Sequence, residues 1–330
     1  MINYQLSEQD KEILAHLQDF IPDKVFDAHA HLHSNDHLSP EATAFTDFGT
    51  ADARAYFQAQ KELYGDRQVR AFFLPTPSMR LREDETIRDK CNAWLTREIS
   101  YAPHCAGAVY VKPGDSVETV KKMLTSPLIK GFKCYWQTSS RQDNLYQSDI
   151  DEFLPESAWQ VANEKGMTIT LHLGKADALA DPDNLSYIQE MTRLYPNAIL
   201  ILAHCARGFA SWTAIESIRH LRGIDNIYYD LAAICEPATI AETIRQAGAE
   251  KVLWGSDFCL DRIKGRPISI GNSFTWLYRH LLPAEMKDLC KTSTCTESLF
   301  AFYQACMLLD ADRKTVENIF YSNANALFGV

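Results

Sequence analysis

The sequence predicts an α/β fold, a (β/α)8 TIM barrel with an added N-terminal helix and a C-terminal helical extension. Eight short apolar runs recur along the 330 residues, and the intervals between them are long enough for crossover helices. The runs are almost continuously apolar, which is typical of parallel strands covered on both faces. An open doubly wound sheet is the competing arrangement. The runs are KVFDAHA, VRAFFLP, AGAVYV, LIKGFKCYW, MTITLHL, AILILAH, NIYYDLA and KVLWGSD.

The segments between the runs have the composition and the capping residues of helices. Clear examples are residues 84–99, 116–124, 151–166, 184–196 and 236–249. Side chains that cap helix N-termini stand at the start of some of them, and glycine follows the end of others. The predicted caps are Asp84, Ser116, Asp183 or Asn184, Gly166 and Gly248.

The two ends of the chain are predicted to be additions to the barrel. Residues 1–22 are expected to form the added helix, and residues 273–330 a helical tail that begins with SFTWLYRHLL. No Gly/Ser-rich linker, internal repeat or low-complexity tract separates these parts from the barrel. We therefore expect one domain over residues 1–330, with the tail packed on the barrel.

Composition and charge narrow the class of protein. The hydrophobic set makes up 46% of the residues and the charged set 23%, as in a globular protein with a large core. Lys and Arg number 33 against 43 Asp and Glu, which gives a net charge of -10 without a basic run, so nucleic acid is a poor partner. The sequence has no membrane-length apolar run and no signal-peptide pattern, so we expect a cytoplasmic protein acting on a small molecule. A homodimer is kept as an option.

Polar residues end several of the apolar runs. His29 and His31 lie two residues apart, so in a strand they point to the same face. His172 closes MTITLH, His204 closes AILILAH, and Asp257 closes KVLWGSD. Because the carboxyl ends of all strands of a (β/α)8 barrel meet at one rim, we expect these five side chains to converge there.

The residue types at these positions indicate a site for a divalent metal. Three imidazole nitrogens and one carboxylate oxygen suit zinc, with one position left for water, and imidazole also accepts iron, nickel or cobalt. A chance occurrence is disfavoured, because an apolar strand that ends in an unpaired histidine or aspartate buries a polar group at a cost in free energy.

The sequence resembles the amidohydrolase superfamily, in particular the branch that includes aminocarboxymuconate-semialdehyde decarboxylase and related decarboxylases, lactonases and hydrolases. The resemblance extends over residues 24–329 and rests on FDAHAHLH, LHLG, LAHCARG, LWGSDF and NANALFG, in that order. It implies that one metal is held by His29, His31, His172 and Asp257. It also implies that His204 hydrogen-bonds the water on that metal.

Lys133 has three interpretations. It lies within LIKGFKCYW, where a charged side chain in a buried parallel strand requires a reason. Binuclear members of the superfamily carry a carboxylated lysine at this strand, and GFKCY is similar to that pattern. In that case Lys133, His172 and His204 would hold a second metal. Otherwise the Lys133 ammonium would bind a substrate carboxylate or pair with an acid such as Asp230.

Basic and aromatic residues near these motifs are candidates for substrate binding. Arg207 follows His204 by three residues, and Arg262 follows the eighth run. A guanidinium fork suits a carboxylate, although a loop arginine also pairs readily with a neighbouring helix. Tyr135 and Trp136 are candidates for the pocket wall, and packing in the core is the alternative for both.

The sequence therefore predicts metal-dependent hydrolysis of a C–N or C–O bond in a small carboxylated substrate. Asp257 would accept the proton of the activated water, and His204 would hydrogen-bond the water or the developing oxyanion. A nonoxidative decarboxylase with the same site is the first alternative, and a metal-containing binding subunit without activity is the second. Nine cysteines without a CxxC pair disfavour a thiolate metal site, and the lack of a GxGxxG motif disfavours a NAD enzyme.

Overall fold

Eight parallel strands form the predicted barrel. The computed structural model describes residues 2–330, apart from the side chain of Glu85. Each strand is hydrogen-bonded to the next in chain order and in parallel register, so the TIM-barrel prediction is confirmed. The strands are β1 (Lys24–Leu32), β2 (Gln68–Pro75), β3 (Ala106–Tyr110), β4 (Ile129–Cys134), β5 (Thr168–Leu171), β6 (Ile199–Leu202), β7 (Ile227–Asp230) and β8 (Val252–Leu253).

Hydrogen bonds outside the regular ladder close the barrel between its last and first strands. The N–H of Ala28 donates to the carbonyl of Trp254 at 2.8 Å, and the N–H of Asp257 donates to the carbonyl of His29 at 2.8 Å. β8 has only 2 residues in regular strand geometry. The irregular chain beyond β8 is therefore held against β1 where the predicted ligands His29 and Asp257 lie.

Helices cover the outside of the barrel. The predicted N-caps Asp84 and Ser116 are confirmed, because both side chains accept hydrogen bonds from backbone N–H groups of the first turn. Gly166 and Gly248 end their helices with positive φ, as predicted. The α-helices before the C-terminal tail are Glu8–His16, Thr43–Thr46, Ala53–Tyr64, Arg80–Glu83, Glu85–Ser100, Val117–Lys122, Glu156–Lys165, Pro182–Leu194, Ser211–Ser217 and Pro237–Ala247.

The helix Pro182–Leu194 begins earlier than predicted. Its N-cap is Asp181, whose carboxylate accepts hydrogen bonds from the N–H groups of Asp183 at 3.1 Å and Asn184 at 3.0 Å. Pro182 fits the first helical position because its ring presets φ and it has no N–H to satisfy. Asp183 and Asn184, which the sequence suggested as caps, lie inside the first turn.

The first part of the predicted helical tail is a β-hairpin. β9 (Gly265–Ile270) and β10 (Ser273–Tyr278) pair in antiparallel register, so the helix predicted to begin at residue 273 is wrong over this stretch. The apolar alternation in SFTWLY has the period of a strand, and Gly271 adopts a φ of 59° in the turn. Phe274, Trp276 and Tyr278 consequently share one face of the hairpin.

The rest of the tail is helical, as predicted, and packs into the barrel. Its α-helices are Thr294–Leu309, Arg313–Glu317 and Asn323–Phe328. The ring of Phe328 stacks on that of Phe72 with centroids 4.0 Å apart, and lies 5.5 Å from that of Phe26. The last helix therefore contributes to the core between β1 and β2. Within residues 2–330, none of the helices combines the length and the apolarity needed to cross a bilayer.

The N-terminal helix, Glu8–His16, is shorter than predicted, and it carries a buried carboxylate that binds the chain after β8. Asp10 is fully buried, accepts a hydrogen bond from the N–H of Ser293 at 2.7 Å, and pairs with Lys264. Burial raises the pKa of Asp10, but hydrogen bonds from Lys264, Ser293 and Ser7 outweigh burial and hold the pKa below its usual value of 3.8. The ionised carboxylate is thus the form that the fold stabilises.

Replacing Asp10 by Asn should lower the free energy of unfolding by about 1.5–3 kcal/mol at neutral pH, because the charge-assisted hydrogen bonds are lost. The folded-state pKa lies below the unfolded one, so this stabilisation is present above about pH 4 and is lost as the pH falls through the folded-state pKa. Denaturant titrations at pH 7 and at lower pH measure the difference. Glu8→Gln, which breaks the exposed pair with Lys11, is the control and should lower the free energy of unfolding much less. A loss in the free energy of unfolding for Asp10→Asn that is as large in acid as at pH 7 would contradict this account.

Candidate metal centre

Three potential metal ligands converge at the carboxyl end of the barrel. His29 and His31 project from β1, and Asp257 follows β8. The Nε2 atoms of the two histidines lie 3.2 Å apart. The Oδ1 atom of Asp257 lies 3.5 Å from Nε2 of His29 and 3.2 Å from Nε2 of His31. All three residues are buried, so the site is screened from bulk water.

The hydrogen bonds on the far side of each imidazole determine where its proton is. Nδ1 of His29 lies 2.9 Å from a carboxylate oxygen of Asp230, and Nδ1 of His31 lies 3.2 Å from the carbonyl of Pro75. Both partners accept hydrogen bonds, so Nδ1 carries the proton and Nε2 presents a lone pair. Two lone pairs and the Asp257 oxygen therefore face one another without a proton between them. A divalent cation satisfies this arrangement, and nitrogen and carboxylate oxygen are donors that zinc accepts.

His204 extends this cluster towards β7. It forms a second group with His29 and Asp230, whose possible ligand atoms all lie within 4.8 Å of one another. Nδ1 of His204 donates to the carbonyl of Ala232 at 2.8 Å, which leaves Nε2 unprotonated in the neutral ring. His204 is therefore placed beside the three converging ligands, as the strand-end position of AILILAH predicts.

His172 is brought near the cluster but stands apart from it. Its ring centroid lies 5.0 Å from that of His204 and 6.4 Å from that of Tyr135. In residues 2–330, it belongs to neither of the close groups that could hold a metal ion. Its Nδ1 is 3.0 Å from the carbonyl of Leu173, which leaves Nε2 available as a ligand or as a hydrogen-bond acceptor.

A strained turn places His204 and Arg207. Four consecutive residues after β6, His204, Cys205, Ala206 and Arg207, have φ values of 56°, 48°, 59° and 60°, so the chain makes one left-handed helical turn. This conformation costs roughly 1–2 kcal/mol for each residue with a Cβ atom. Such strain persists where the surroundings over-determine the backbone, and here the N–H of His204 donates to Asp230 at 2.9 Å.

Burial sets the protonation states of the site. It lowers the pKa of His31 to about 3 and that of His204 to about 4, so both rings are neutral at physiological pH. Burial also raises the pKa of Asp257 to about 6, against the opposing effect of His204. The neutral imidazoles can bind a metal, and the Asp257 carboxylate has a proton affinity suited to proton transfer near neutral pH.

Lys133 is fully buried on β4 and has no hydrogen-bond partner for its ammonium nitrogen within residues 2–330. The nitrogen lies 4.7 Å from the centroid of the Tyr135 ring. Burial lowers the pKa of Lys133 to about 8, although the charge of Asp230 opposes the shift. The pairing with Asp230 considered above is not formed as an ion pair within the described residues. A neutral amine is the form that carboxylation requires, and an ammonium without a partner suits a substrate anion.

Arg207 lies at the rim among aromatic rings. Its guanidinium donates to the carbonyl of Lys175 at 2.5 Å and to the hydroxyl of Tyr146, and lies 4.9 Å from the ring centroids of both Tyr146 and Phe274. It is 7% exposed, and no carboxylate within residues 2–330 forms an ion pair with it. The helix pairing considered for this arginine is therefore replaced by contacts to two loops and the hairpin.

Tyr135, Trp136 and Arg262 are placed differently from one another. Tyr135 is buried at the site, with its ring centroid 6.3 Å from that of His31, whereas Trp136 packs against the ring of Tyr146 at 5.6 Å. The structure does not bring Arg262 to the cluster. Its guanidinium binds the carboxylate of Glu62 and the carbonyl of Ala59, because the chain after β8 turns back over the helix that holds both. Lys264 and Arg266 also pair with acidic residues of the scaffold.

Four further residues surround the cluster, and of these the sequence pointed only to Asp230, as a partner for Lys133. Asp230 orients His29 and His204, and its position at the end of NIYYD was a usable signal. Asp27 binds the chain on both sides of the cluster, as described below. Phe209 and Phe274 pack together with ring centroids 4.8 Å apart, and Phe209 lies 5.1 Å from the ring of His204. Nothing local in the sequence indicates these aromatic contacts.

The chain thus forms a barrel of eight parallel strands with a buried cluster of histidine and aspartate at its carboxyl end. Comparisons with known proteins assign a family to it. The sequence model of the Amidohydrolase family matches residues 26–330. The chain therefore belongs to the amidohydrolase family, and the resemblance seen in the sequence motifs is confirmed. Among the curated proteins, no match was found.

Solved structures share the fold at low sequence identity. A 5-carboxyvanillate decarboxylase from Novosphingobium aromaticivorans, complexed with manganese, is 11% identical with a TM-score of 0.56, covering 93% of this chain and 96% of its own. A 2,6-dihydroxybenzoate decarboxylase from Rhizobium is 11% identical with a TM-score of 0.58, covering 94% and 99%. A Pseudomonas putida protein named as a 2-pyrone-4,6-dicarboxylic acid hydrolase is 14% identical with a TM-score of 0.55, covering 94% and 98%.

Proposed function

We propose that this protein is a metal-dependent hydrolase that cleaves a C–N or C–O bond in a small carboxylated substrate. The observation that carries the proposal is the meeting of two unprotonated Nε2 atoms and the Asp257 oxygen, 3.2–3.5 Å apart and buried. His29, His31 and Asp257 would hold one divalent ion, with zinc preferred, and His172 would be the fourth ligand. Membership of the amidohydrolase family supports this reading.

A bound divalent ion would supply Lewis acidity, which polarises a carbonyl and lowers the pKa of water. The protein's own side chains would transfer the proton, hydrogen-bond the reacting oxygen and orient the substrate. Asp257 accepts a proton at its carboxylate. His204 offers Nε2 to the reacting oxygen, because its Nδ1 is already committed to Ala232. Arg207 at the rim orients the substrate carboxylate with a fork of N–H donors.

A nonoxidative decarboxylase is the second candidate. Two of the proteins with a similar fold are decarboxylases of aromatic acids, and the third is named as a hydrolase of a dicarboxylic acid. The observation in this chain that favours decarboxylation is the buried Lys133 nitrogen, which pairs with no carboxylate within residues 2–330 and so could hold a carboxylate beside the ion. The same ligands would serve both reactions.

Metal analysis combined with a substrate panel tests the proposal. The purified protein is analysed for bound metal, stripped with a chelator, and reloaded with zinc or manganese. Each form is then assayed on lactones, amides and aromatic acids that carry a carboxylate. We expect about one ion per chain and hydrolysis without release of CO₂. CO₂ release would support the decarboxylase, whereas metal binding without turnover of any compound would support the inactive binding subunit. A protein that binds neither metal would refute the proposal.

Replacing Arg207 by Met should raise KM about 10-fold or more while changing kcat less, because a charge-assisted contact made equally in the ground and transition states is lost. Steady-state kinetics on the best carboxylated substrate measure the effect. Arg262→Met is the matched control, because Arg262 is equally buried but binds Glu62. It should lower stability and leave KM unchanged. Equal KM values for wild type and Arg207→Met would remove Arg207 from substrate binding.

A further inference from the structure

We propose that Asp27 is a positioning residue that sets the separation between the two histidines of β1 and Asp257. The inference rests on the proposed metal site, but concerns residues outside the predicted ligand set. Asp27 lies two positions before His29 and is fully buried. Its carboxylate binds β1 and the chain after β8 at the same time.

Four donors hold the Asp27 carboxylate. Oδ1 accepts hydrogen bonds from the N–H of His29 at 3.1 Å and from the N–H of Ser256 at 2.9 Å. Oδ2 accepts from the hydroxyl of Ser256 at 2.6 Å and from the hydroxyl of Tyr56 at 3.0 Å. One oxygen therefore bridges a backbone group of the ligand His29 and a backbone group of the residue before the ligand Asp257. With both oxygens engaged, Asp27 acts on a metal only through these neighbours.

Ser256, the residue before Asp257, connects Asp27 to the residue after Asp257. Its hydroxyl donates to Asp27 and accepts a hydrogen bond from the N–H of Phe258 at 3.0 Å. The N–H of Asp257 itself donates to the carbonyl of His29. Asp257 has a φ of 68°, a conformation that a residue with a Cβ atom adopts only where its surroundings require it. The hydrogen bonds of Asp27 and Ser256 hold the backbone on both sides of Asp257.

Asp27 adds side-chain hydrogen bonds to the few backbone hydrogen bonds that cross this seam. Regular strand pairing sets the ligand separation elsewhere in the sheet, but β8 ends at Leu253, before Asp257, and the register of β1 against β2 shifts between Asp27 and Ala30. The spacing of the ligands across the seam thus depends on three backbone hydrogen bonds, from the N–H groups of Ala28, His31 and Asp257, together with the side-chain hydrogen bonds of Asp27. Partners that orient metal ligands typically change metal affinity by about 10–100-fold when removed.

Three variants test the proposal, with the apparent zinc Kd as the principal measurement. Asp27→Asn, Ser256→Ala and Tyr56→Phe are titrated with zinc against a competing chelator, and their unfolding is measured in EDTA and with zinc. We expect Asp27→Asn and Ser256→Ala to weaken zinc binding about 10-fold or more. Tyr56→Phe, which loses only the outer contact, should weaken it less. The gain in stability on adding zinc should shrink in the same order.

Tyr64→Phe is the matched control. Tyr64 is buried on the same helix as Tyr56, and its hydroxyl accepts a hydrogen bond from Nε1 of Trp254 at 3.0 Å. This variant should lose stability in EDTA and keep the wild-type zinc Kd. Variants of Asp27, Ser256 and Tyr56 that behave like Tyr64→Phe would overturn the proposal and assign Asp27 a purely structural role.

The outcomes separate this inference from the proposed function. A wild-type protein that binds no zinc or manganese refutes both. A wild type that binds zinc tightly, with unchanged Kd in Ser256→Ala and Asp27→Asn, refutes the positioning role alone. If Asp27→Asn fails to fold, Ser256→Ala decides the question, because it removes one of the four donors and leaves the carboxylate in place.

Discussion

Replacing Asp257 by Asn should reduce kcat by about 100-fold or more while the barrel stays folded, because the group that accepts the proton is lost. Without a metal ion the pKa of the Asp257 carboxyl is about 6, and a bound cation would lower it, so the wild-type carboxylate is ionised at neutral pH. The amide of Asn keeps the size of the side chain but is not basic. Rate measurements with metal-saturated protein, together with a metal content for each sample, separate loss of the base from loss of the ion.

Asp261→Asn is the control for this substitution. Asp261 is buried four residues further along, and neither of its carboxylate oxygens has a hydrogen-bond partner within the described residues. Burial raises the pKa of Asp261 well above its usual range and so disfavours the charged form, and an amide of the same size is a small change at this position. The control should turn over substrate at close to the wild-type rate. An Asp257→Asn protein with full metal content and near-normal kcat would exclude Asp257 as the base.

Replacing Phe328 by Ala should lower the free energy of unfolding by about 3–5 kcal/mol, since it removes a large buried ring and leaves a cavity. Phe328 is 2% exposed and stacks on Phe72. The loss is measured by denaturant titration and by the shift in Tm. Leu308→Ala, at a position that is 68% exposed in the same tail, should change stability by no more than about 0.5 kcal/mol.

The same variant tests whether the tail affects only stability or also the metal cluster. Phe328 packs against Phe26 in β1, five residues before His31, and it has no contact with the metal cluster among the aromatic pairs of the structure. Below its transition temperature, Phe328→Ala should therefore keep the wild-type KM and metal content. A stability loss under about 1 kcal/mol would show that the tail is not part of the core.

Strand-end residues were predictable because their signals are local. A run such as AILILAH must be buried on both faces, and a histidine at its end must lie at the rim once eight such runs close a barrel. His29 and His31 share a face because strand geometry has a period of two. These inferences need only the order of residues along the chain, so the fold class and the convergence of His29 and His31 with Asp257 follow from the sequence.

The hairpin has a local sequence signal, the alternation of aromatic residues in SFTWLY, that contradicts the helical prediction. SFTWLYRHLL is apolar enough for a helix, and the helical prediction did not take account of the alternation in its first half. The partner of β10 is β9, directly preceding it across Gly271. The pairing was therefore open to prediction, unlike the contact that the hairpin makes with Arg207 through Phe274, 67 positions along the chain.

The binding partners of the charged residues could not be predicted from the sequence, because they lie in distant parts of the chain. Arg207 and Arg262 both follow strand ends, yet one lies among aromatic rings at the rim and the other binds Glu62, 200 positions earlier. The bonds of Asp27 to Ser256, 229 positions later, likewise exist only once the barrel is closed. Residue type and position specify what a side chain is able to bind. Which partner it meets is decided when the first and last strands come together, because a buried charge must satisfy its hydrogen bonds with whatever groups packing brings within about 3 Å.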